Sequence, residues 1–206
     1  MLLSIHPQNP QERNIKTVVE ILRNGGVIIY PTDTIYGLGC DIYNTKAIER
    51  IAQIKQIQPK KANFSFVCSG LSNLSDYAKS ISTPTFRILK LALPGPYTFI
   101  LPASKEVPKM LKSKKDTVGI RVPDHAITQA IVQALGHPIM SVSLPMDDDV
   151  AYYSDPEVIH EMFEHRVDAV IDGGIGGIIP STVVDCTGAM PELIREGAGD
   201  WEKLIS

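Results

Sequence analysis

Val27-Ile28-Ile29-Tyr30 is a run of four apolar residues, three of them β-branched, held between Gly25-Gly26 and Pro31. So short a run, bounded by turn residues and lacking polar alternation, reads as a strand buried on both faces. Before it, Ile15, Val18, Val19 and Leu22 recur at helical spacing, with Asn9-Pro10 as N-cap and first-turn proline. After it the alternation continues. Asn44 caps a helix carrying Ile48, Ile51, Ala52 and Lys55, then a strand spans Phe64 to Cys68, a helix Pro84 to Leu93, and strands Tyr97 to Leu101 and Val118 to Val122. A helix over Ile127 to Leu135, a strand over Pro138 to Val142 and a helix opened by the capping box Ser154-Asp155-Pro156-Glu157 follow. Short strands at Asp168 to Ile171, Thr182 to Asp185 and Glu192 to Arg195 crowd the end, which makes part of the sheet antiparallel. The pattern predicts an α/β fold, a single domain over residues 1–206 with a twisted mixed sheet and flanking helices.

At 206 residues with 44% hydrophobic and 21% charged residues, the chain has enough apolar content for a substantial core. No stretch approaches the roughly 20 apolar residues of a membrane span, and the first residues lack a signal peptide's charged and apolar regions. A soluble, cytoplasmic protein is expected. Cys40, Cys68 and Cys186 are odd in number and widely spaced, which favours buried free thiols over disulfides or a zinc site. With a net charge of −3, any grip on nucleic acid must come from a local patch.

The densest chemical signal is Tyr30-Pro31-Thr32-Asp33-Thr34-Ile35-Tyr36-Gly37-Leu38-Gly39, read as one polar turn leaving a buried strand, where α/β proteins place ligands. Ser141 and Ser143 share one face of their strand, and Ser181-Thr182 opens another. Arg121 and Arg195 end two strands, and their guanidinium forks suit carboxylates and phosphates. Other patterns point elsewhere. Asp172 to Gly177 reads as a flexible loop, not a phosphate loop; His160 and His165 are one place too far apart for H-E-x-x-H; Asp147-Asp148-Asp149 reads as an acidic loop tip; and Lys105, Lys109, Lys112, Lys114 and Lys115 read as a solvated surface.

Taken in series, Pro31-Thr32-Asp33-Thr34-Ile35-Tyr36-Gly37-Leu38, Lys55, Pro94-Gly95-Pro96-Tyr97-Thr98, Arg121-Val122-Pro123, Ser141-Val142-Ser143, Ser181-Thr182-Val183-Val184-Asp185 and Arg195-Glu196-Gly197 resemble the YrdC/YciO family, across a motif-bearing core of about 12–200. The resemblance implies a YrdC-like fold around a large concave cavity. It also implies a nucleotidyltransferase of the L-threonylcarbamoyladenylate synthase type, which joins L-threonine, bicarbonate and ATP for threonylcarbamoylation of a tRNA adenosine. By the same resemblance Thr32, Thr34, Arg121, Ser141 and Ser181 bind threonine, and Lys55, Thr117, Ser143 and Arg195 bind the nucleotide. Mg²⁺ is expected to arrive with ATP on its phosphates, with no metal site of the protein's own.

Two positions depart from the synthase pattern. Lys55-Gln56-Ile57 has isoleucine where K-x-R has arginine, and Ser143-Leu144-Pro145 lacks the asparagine of S-x-N. Both changes strip polar groups from the nucleotide side and bring the chain nearer the YciO-like branch. Lys60 or Lys61 is a candidate replacement for the arginine. The alternative function is a catalytically weak or inactive protein that binds double-stranded RNA, tRNA or the ribosome. The chain ends soon after Arg195-Glu196-Gly197, so the extra C-terminal domain of longer synthases is not expected.

Overall fold

Side chains of a strand alternate between two faces, and in this protein one wide sheet gives its two faces different work. The computed structural model describes residues 1–58, 64–113, 116–144 and 153–205. Ten strands form the sheet: β1 (Leu2–Ser4), β2 (Val27–Tyr30), β3 (Gly37–Asp41), β4 (Ser65–Val67), β5 (Tyr97–Pro102), β6 (Thr117–Arg121), β7 (Ile139–Ser143), β8 (Ala169–Asp172), β9 (Thr182–Asp185) and β10 (Glu192–Arg195). Their spatial order is β1-β8-β2-β3-β7-β4-β6-β5-β9-β10. The pairs β1–β8, β2–β8, β4–β6 and β5–β9 are parallel and the others antiparallel, so the sheet is mixed as expected.

The helices are α1 (Glu12–Arg23), α2 (Thr45–Ile54), α3 (Leu74–Tyr77), α4 (Thr83–Ala92), α5 (Ala126–Leu135), α6 (Pro156–Phe163) and α7 (Trp201–Ile205). One sheet face, carrying Ile29, Leu38, Phe66, Phe99, Ile120, Met140 and Val184, packs against α2, α3, α4, α6 and α7. The opposite face is covered by α1 and α5, whose Ile15, Val18, Ile127 and Ile131 bury Ile28, Tyr30, Val67, Ile139 and Ile171. That second cover stops short of the β5, β9 and β10 side of the sheet, where the cavity described below opens.

Two start signals are displaced. The N-cap of α1 is Gln11, whose side chain instead accepts from the His6 amide, so Asn9-Pro10 lies outside the helix. Asp155, not Ser154, caps α6 by accepting from the Glu157 amide. Asn44 caps α2 as expected, accepting from the Ala47 amide at 3.0 Å.

The turn expected over residues 30–39 is only partly a turn. Gly37 to Gly39 belong to β3, antiparallel to β2. Glycine disfavours strand interiors, which is why the sequence pattern hides this one. These glycines make room for a ring: a Cβ on Gly39 would lie 2.9 Å from a Tyr30 ring carbon and 2.8 Å from the Ile139 Cγ2. The glycine-rich loop after β8 is also not free. The Gly176 amide donates to the Ser154 carbonyl and the Gly177 amide to the Thr34 carbonyl, each at 2.8 Å, and Tyr36 donates to the Gly174 carbonyl. His165 is solvent-exposed beyond the end of α6, whereas His160 within α6 is half-buried with its Nε2 enclosed, so the two do not share the solvated helix face expected of them. Asp147 to Asp149, Lys60, Lys61, Lys114, Lys115 and Pro145 lie outside the described residues.

Among the described residues, no helix is long and apolar enough to cross a membrane. All three cysteines are free and buried. Burial pushes Cys68 up to about 12 and Cys186 up to about 11, and raises Cys40 further. Thiolates are the reactive form. At pH 8 the native protein is therefore expected to resist Ellman's reagent at every cysteine, with three thiols titrating after denaturation; rapid labelling of the native protein would contradict this packing. Gly39→Ala should cost about 1–3 kcal/mol through overpacking against Tyr30, read from the midpoint of urea unfolding.

Candidate functional site

The uncovered part of the sheet forms the floor of a cavity of about 730 Å³. Its lining follows the strand period. Thr117, Gly119 and Arg121 come from β6, Ser141 and Ser143 from β7, Thr98 and Ile100 from β5, with Ser65, Gly37, Val183 and Arg195 from their neighbours. The register sets these residues in rows. Gly39, Ser141, Ser65, Gly119 and Ile100 stand side by side across five strands. One row away on the same face, Val67 pairs with Arg121, and Thr98 with Val183 and Arg195. Small and hydroxyl residues on this face leave the volume empty of protein, while the intervening residues fill the core behind it.

Arg121 is the centre of the polar wall. It is only 7% exposed, yet the sheet holds its guanidinium beside the loop that follows β2. Its Nη2 donates to Asp33 Oδ1 at 3.0 Å and to Thr34 Oγ1 at 2.9 Å. Thr32 donates its hydroxyl proton to the Ile35 carbonyl at 2.7 Å, so the Thr34 hydroxyl, 3.1 Å away, donates to Thr32. The result is a one-way chain from Arg121 through Thr34 and Thr32 to backbone. Asp33 is fixed on its other oxygen by the Asp124 amide at 3.0 Å. Arg121 Nε, by contrast, is buried without a partner. Such an orphaned donor is costly unless a ligand satisfies it.

Around Arg121 stand further polar groups. Tyr30 donates to Ser141 Oγ at 2.7 Å, which leaves the Ser141 proton free to donate into the cavity. Burial pushes Tyr30 up to about 12, so its proton is always present for that bond. Arg195 Nη2 donates to the Ser181 carbonyl at 2.8 Å, and the Ser181 hydroxyl pairs with Thr98 Oγ1 at 2.8 Å. Desolvation, then the nearby charge of Arg121, lowers Arg195 from its ordinary value. Two guanidiniums therefore face one cavity whose lining contains no carboxylate among the described residues, with Asp33 behind the wall as counter-charge to one of them. The arrangement selects an anionic or zwitterionic ligand.

Of the residues singled out from sequence, Arg121, Ser141, Ser143, Ser181, Thr117 and Arg195 line this single cavity. Thr32 and Thr34 are buried behind it and act through Arg121. Lys55 follows α2, and its ammonium donates to the carbonyls of Ser143 at 3.0 Å and Leu144 at 3.4 Å, bracing the end of β7 at the rim. Gln56 takes a left-handed φ of 54°, and the Ile57 amide bonds back to the Ala52 carbonyl, a helix-ending turn that sets Ile57 on the cavity wall. Sequence reasoning left Asp33, Tyr30 and Thr98 without roles, although all three lie inside quoted motifs. It also left out Ser65 and Gly119, for which only their register against Ser141 carries the signal. No group of three His, Cys, Asp or Glu side chains among the described residues can hold a metal ion.

With this geometry in view, residues 20–197 match the sequence family of Sua5, YciO and YrdC, whose description reads "Telomere recombination". YciO of Escherichia coli, described as uncharacterized, is 48% identical over 202 residues, covering 98% of this chain and 97% of that protein. Its crystal structure superposes with a TM-score of 0.91 at 46% identity, covering 97% of each chain. The crystal structure of P. abyssi Sua5 complexed with L-threonine has a TM-score of 0.88 at 26% identity, covering 99% of this chain and 59% of that one.

The Asp33–Arg121 pair is buried on both sides, with each side chain 9% exposed. Removing one partner of such a pair strands the other charge at a cost of about 3–5 kcal/mol. Asp33→Ala should therefore lower unfolding free energy by about that amount, and the double variant Asp33→Ala/Arg121→Met should recover a large part of the loss. Equal destabilisation by the single and double variants in urea titrations would contradict the pairing.

Proposed function

The chain belongs to the Sua5/YciO/YrdC family, and from that premise we propose that it is a nucleotidyltransferase of the L-threonylcarbamoyladenylate synthase type, serving threonylcarbamoylation of tRNA. The observation that carries this reading is the Arg121 guanidinium at the wall of the cavity, anchored through Nη2 to Asp33 and Thr34 and joined there by Arg195, a fixed cationic site for an anion. The fold likeness to a Sua5 crystallised with L-threonine supports an amino acid as the source of that anion. In this reading Arg121 donates to the threonine carboxylate, and the hydroxyls of Ser141 and Ser181 complete the amino-acid side.

The reaction joins three substrates. The threonine amine and bicarbonate give a carbamate with loss of water; a carbamate oxygen then forms a bond to the α-phosphorus of ATP as the bond to the β,γ-phosphates breaks and pyrophosphate leaves. Nothing in this sequence requires a covalent enzyme intermediate. The chain's contribution is to align the reacting groups and offset charge, through Arg195, Ser143 and Thr117 on the phosphate side. Lys55 belongs to that side by position, bracing the strand end that carries Ser143. Among the described residues the lining offers no carboxylate, so a Mg²⁺ ion fits with them as part of the ATP complex, held by phosphate oxygens.

Ile57 favours a second reading. It puts an apolar group on the cavity wall at the place of the K-x-R arginine, which weakens the phosphate side and leaves a protein that binds RNA with little or no synthase chemistry. Such binding should fall steeply with salt. Calorimetric titration with ATP-Mg²⁺ and with L-threonine, alone and together, followed by pyrophosphate release on adding bicarbonate, separates the two. Binding of both with turnover supports the synthase. Absence of both at millimolar concentration, with salt-sensitive tRNA binding, supports the alternative.

Loss of a charge-assisted bond costs about 1.5–3 kcal/mol. Arg121→Met should therefore weaken threonine binding by about 10- to 100-fold. Ile57→Arg should move ATP affinity in the opposite direction and raise pyrophosphate release; unchanged affinity would remove Ile57 from the nucleotide side.

A further inference from the structure

Three glycines, Gly37, Gly39 and Gly119, lie on the cavity-side face of central strands. The first two are accounted for, since the Tyr30 ring occupies the space over both. Gly119 is different. It lines the cavity, and the contacts that an added Cβ would meet lie to the side, the Phe64 carbonyl oxygen at 3.2 Å and Ser65 Cβ at 3.4 Å. Its φ is not left-handed, so its backbone does not demand glycine. A strand interior pays for glycine in entropy and lost packing, and a glycine kept there marks a close approach by another backbone or a ligand. The neighbouring strand accounts for part of that, since the Phe64 carbonyl oxygen would have to give by a few tenths of an ångström; the other side of Gly119 is open cavity.

What lies over Gly119 follows from the rows. Along β6 it stands between Arg121 and Thr117, whose Cα atoms, four residues apart, are separated by roughly 13 Å of extended chain. Across the sheet it stands between Ser65 and Ile100. Resting on the reading in which Arg121 takes the amino-acid carboxylate and Thr117 the nucleotide, we infer that the bare backbone at Gly119 is the floor beneath the junction of the two substrates, where the carbamate of the amino acid meets the α-phosphate. A side chain at this point would sit under neither end of the pair but under the bond being formed. It would therefore oppose joint occupancy more than separate occupancy, and a displacement of about 1 Å at a reacting centre costs on the order of 100-fold in rate.

The experiment compares the wild-type chain with Gly119→Ala and with Ser65→Val, which brings bulk over the same floor from the adjacent strand without touching the Gly119 backbone. For each, calorimetry gives the affinity for ATP-Mg²⁺ and for L-threonine separately and in the other's presence; pyrophosphate release gives turnover; and a thermal midpoint reports folding. The expected result is single-ligand affinities within about twofold of wild type, an unchanged midpoint, and turnover and mutual enhancement of binding reduced at least tenfold in both variants. Wild-type turnover in either folded variant overturns the inference. So does a collapse of the Gly119→Ala midpoint with a fully active Ser65→Val, since the glycine would then serve the Phe64 contact. A wild-type chain that binds neither ligand overturns the synthase reading instead, and the two failures are told apart by the wild-type titration alone.

Discussion

A guanidinium buried at the end of a central strand needs a counter-charge, and the protein supplies one from a loop far away in sequence. Arg121 on β6 and Asp33 after β2 are 3.0 Å apart and almost fully enclosed. The loop from Pro31 to Tyr36 is built to serve that contact. Thr34 and Thr32 accept and pass on hydrogen bonds in one direction, the Asp124 amide fixes the second carboxylate oxygen, and the Gly177 amide pins the Thr34 carbonyl from outside. In a low-dielectric setting such a connected set of bonds holds its members more firmly than isolated pairs would. The guanidinium is thus held rigidly at the cavity wall.

The cavity itself is a consequence of incomplete cover. One face of the ten-stranded sheet is packed from β8 to β9, whereas α1 and α5 cover only part of the other. Exposed sheet is ordinarily faced with large polar side chains, but here the bare part carries Ser65, Thr98, Gly119, Ser141 and Thr117. Short side chains keep the space open, and hydroxyls keep it polar. The two arginines at its border set the sign of the charge that enters. Apolar side chains, Ile57 and Ile194 among them, complete the wall.

Much of this was legible in the chain. Each strand with β-branched or aromatic content, and each long helix, stands where the hydrophobic period places it. The quoted motifs converge because they sit at strand ends and on one strand face, where Ser141 and Ser143, two residues apart, had to point together. What stayed hidden has physical causes. The glycines of β3 give no strand signal because they exist to receive the Tyr30 ring. Leu2 to Ser4 is too short for a pattern and becomes a strand only by pairing with β8. The role of Asp33 depends on a contact spanning 88 positions, and Thr34 reads equally as a ligand-binding hydroxyl until its proton is traced to Thr32. The glycine-rich segment after β8 looks like a free loop until its amides are followed to Thr34 and Ser154.

The central claim is that Arg121 holds a donor in reserve for a carboxylate. A crystal structure of the protein grown with millimolar L-threonine tests it most directly. The account predicts the amino acid in the cavity with a carboxylate oxygen within hydrogen-bond distance of the Arg121 guanidinium and Ser141 Oγ, and the Asp33 contact unchanged. An empty cavity, or threonine bound with its carboxylate away from Arg121, would contradict it.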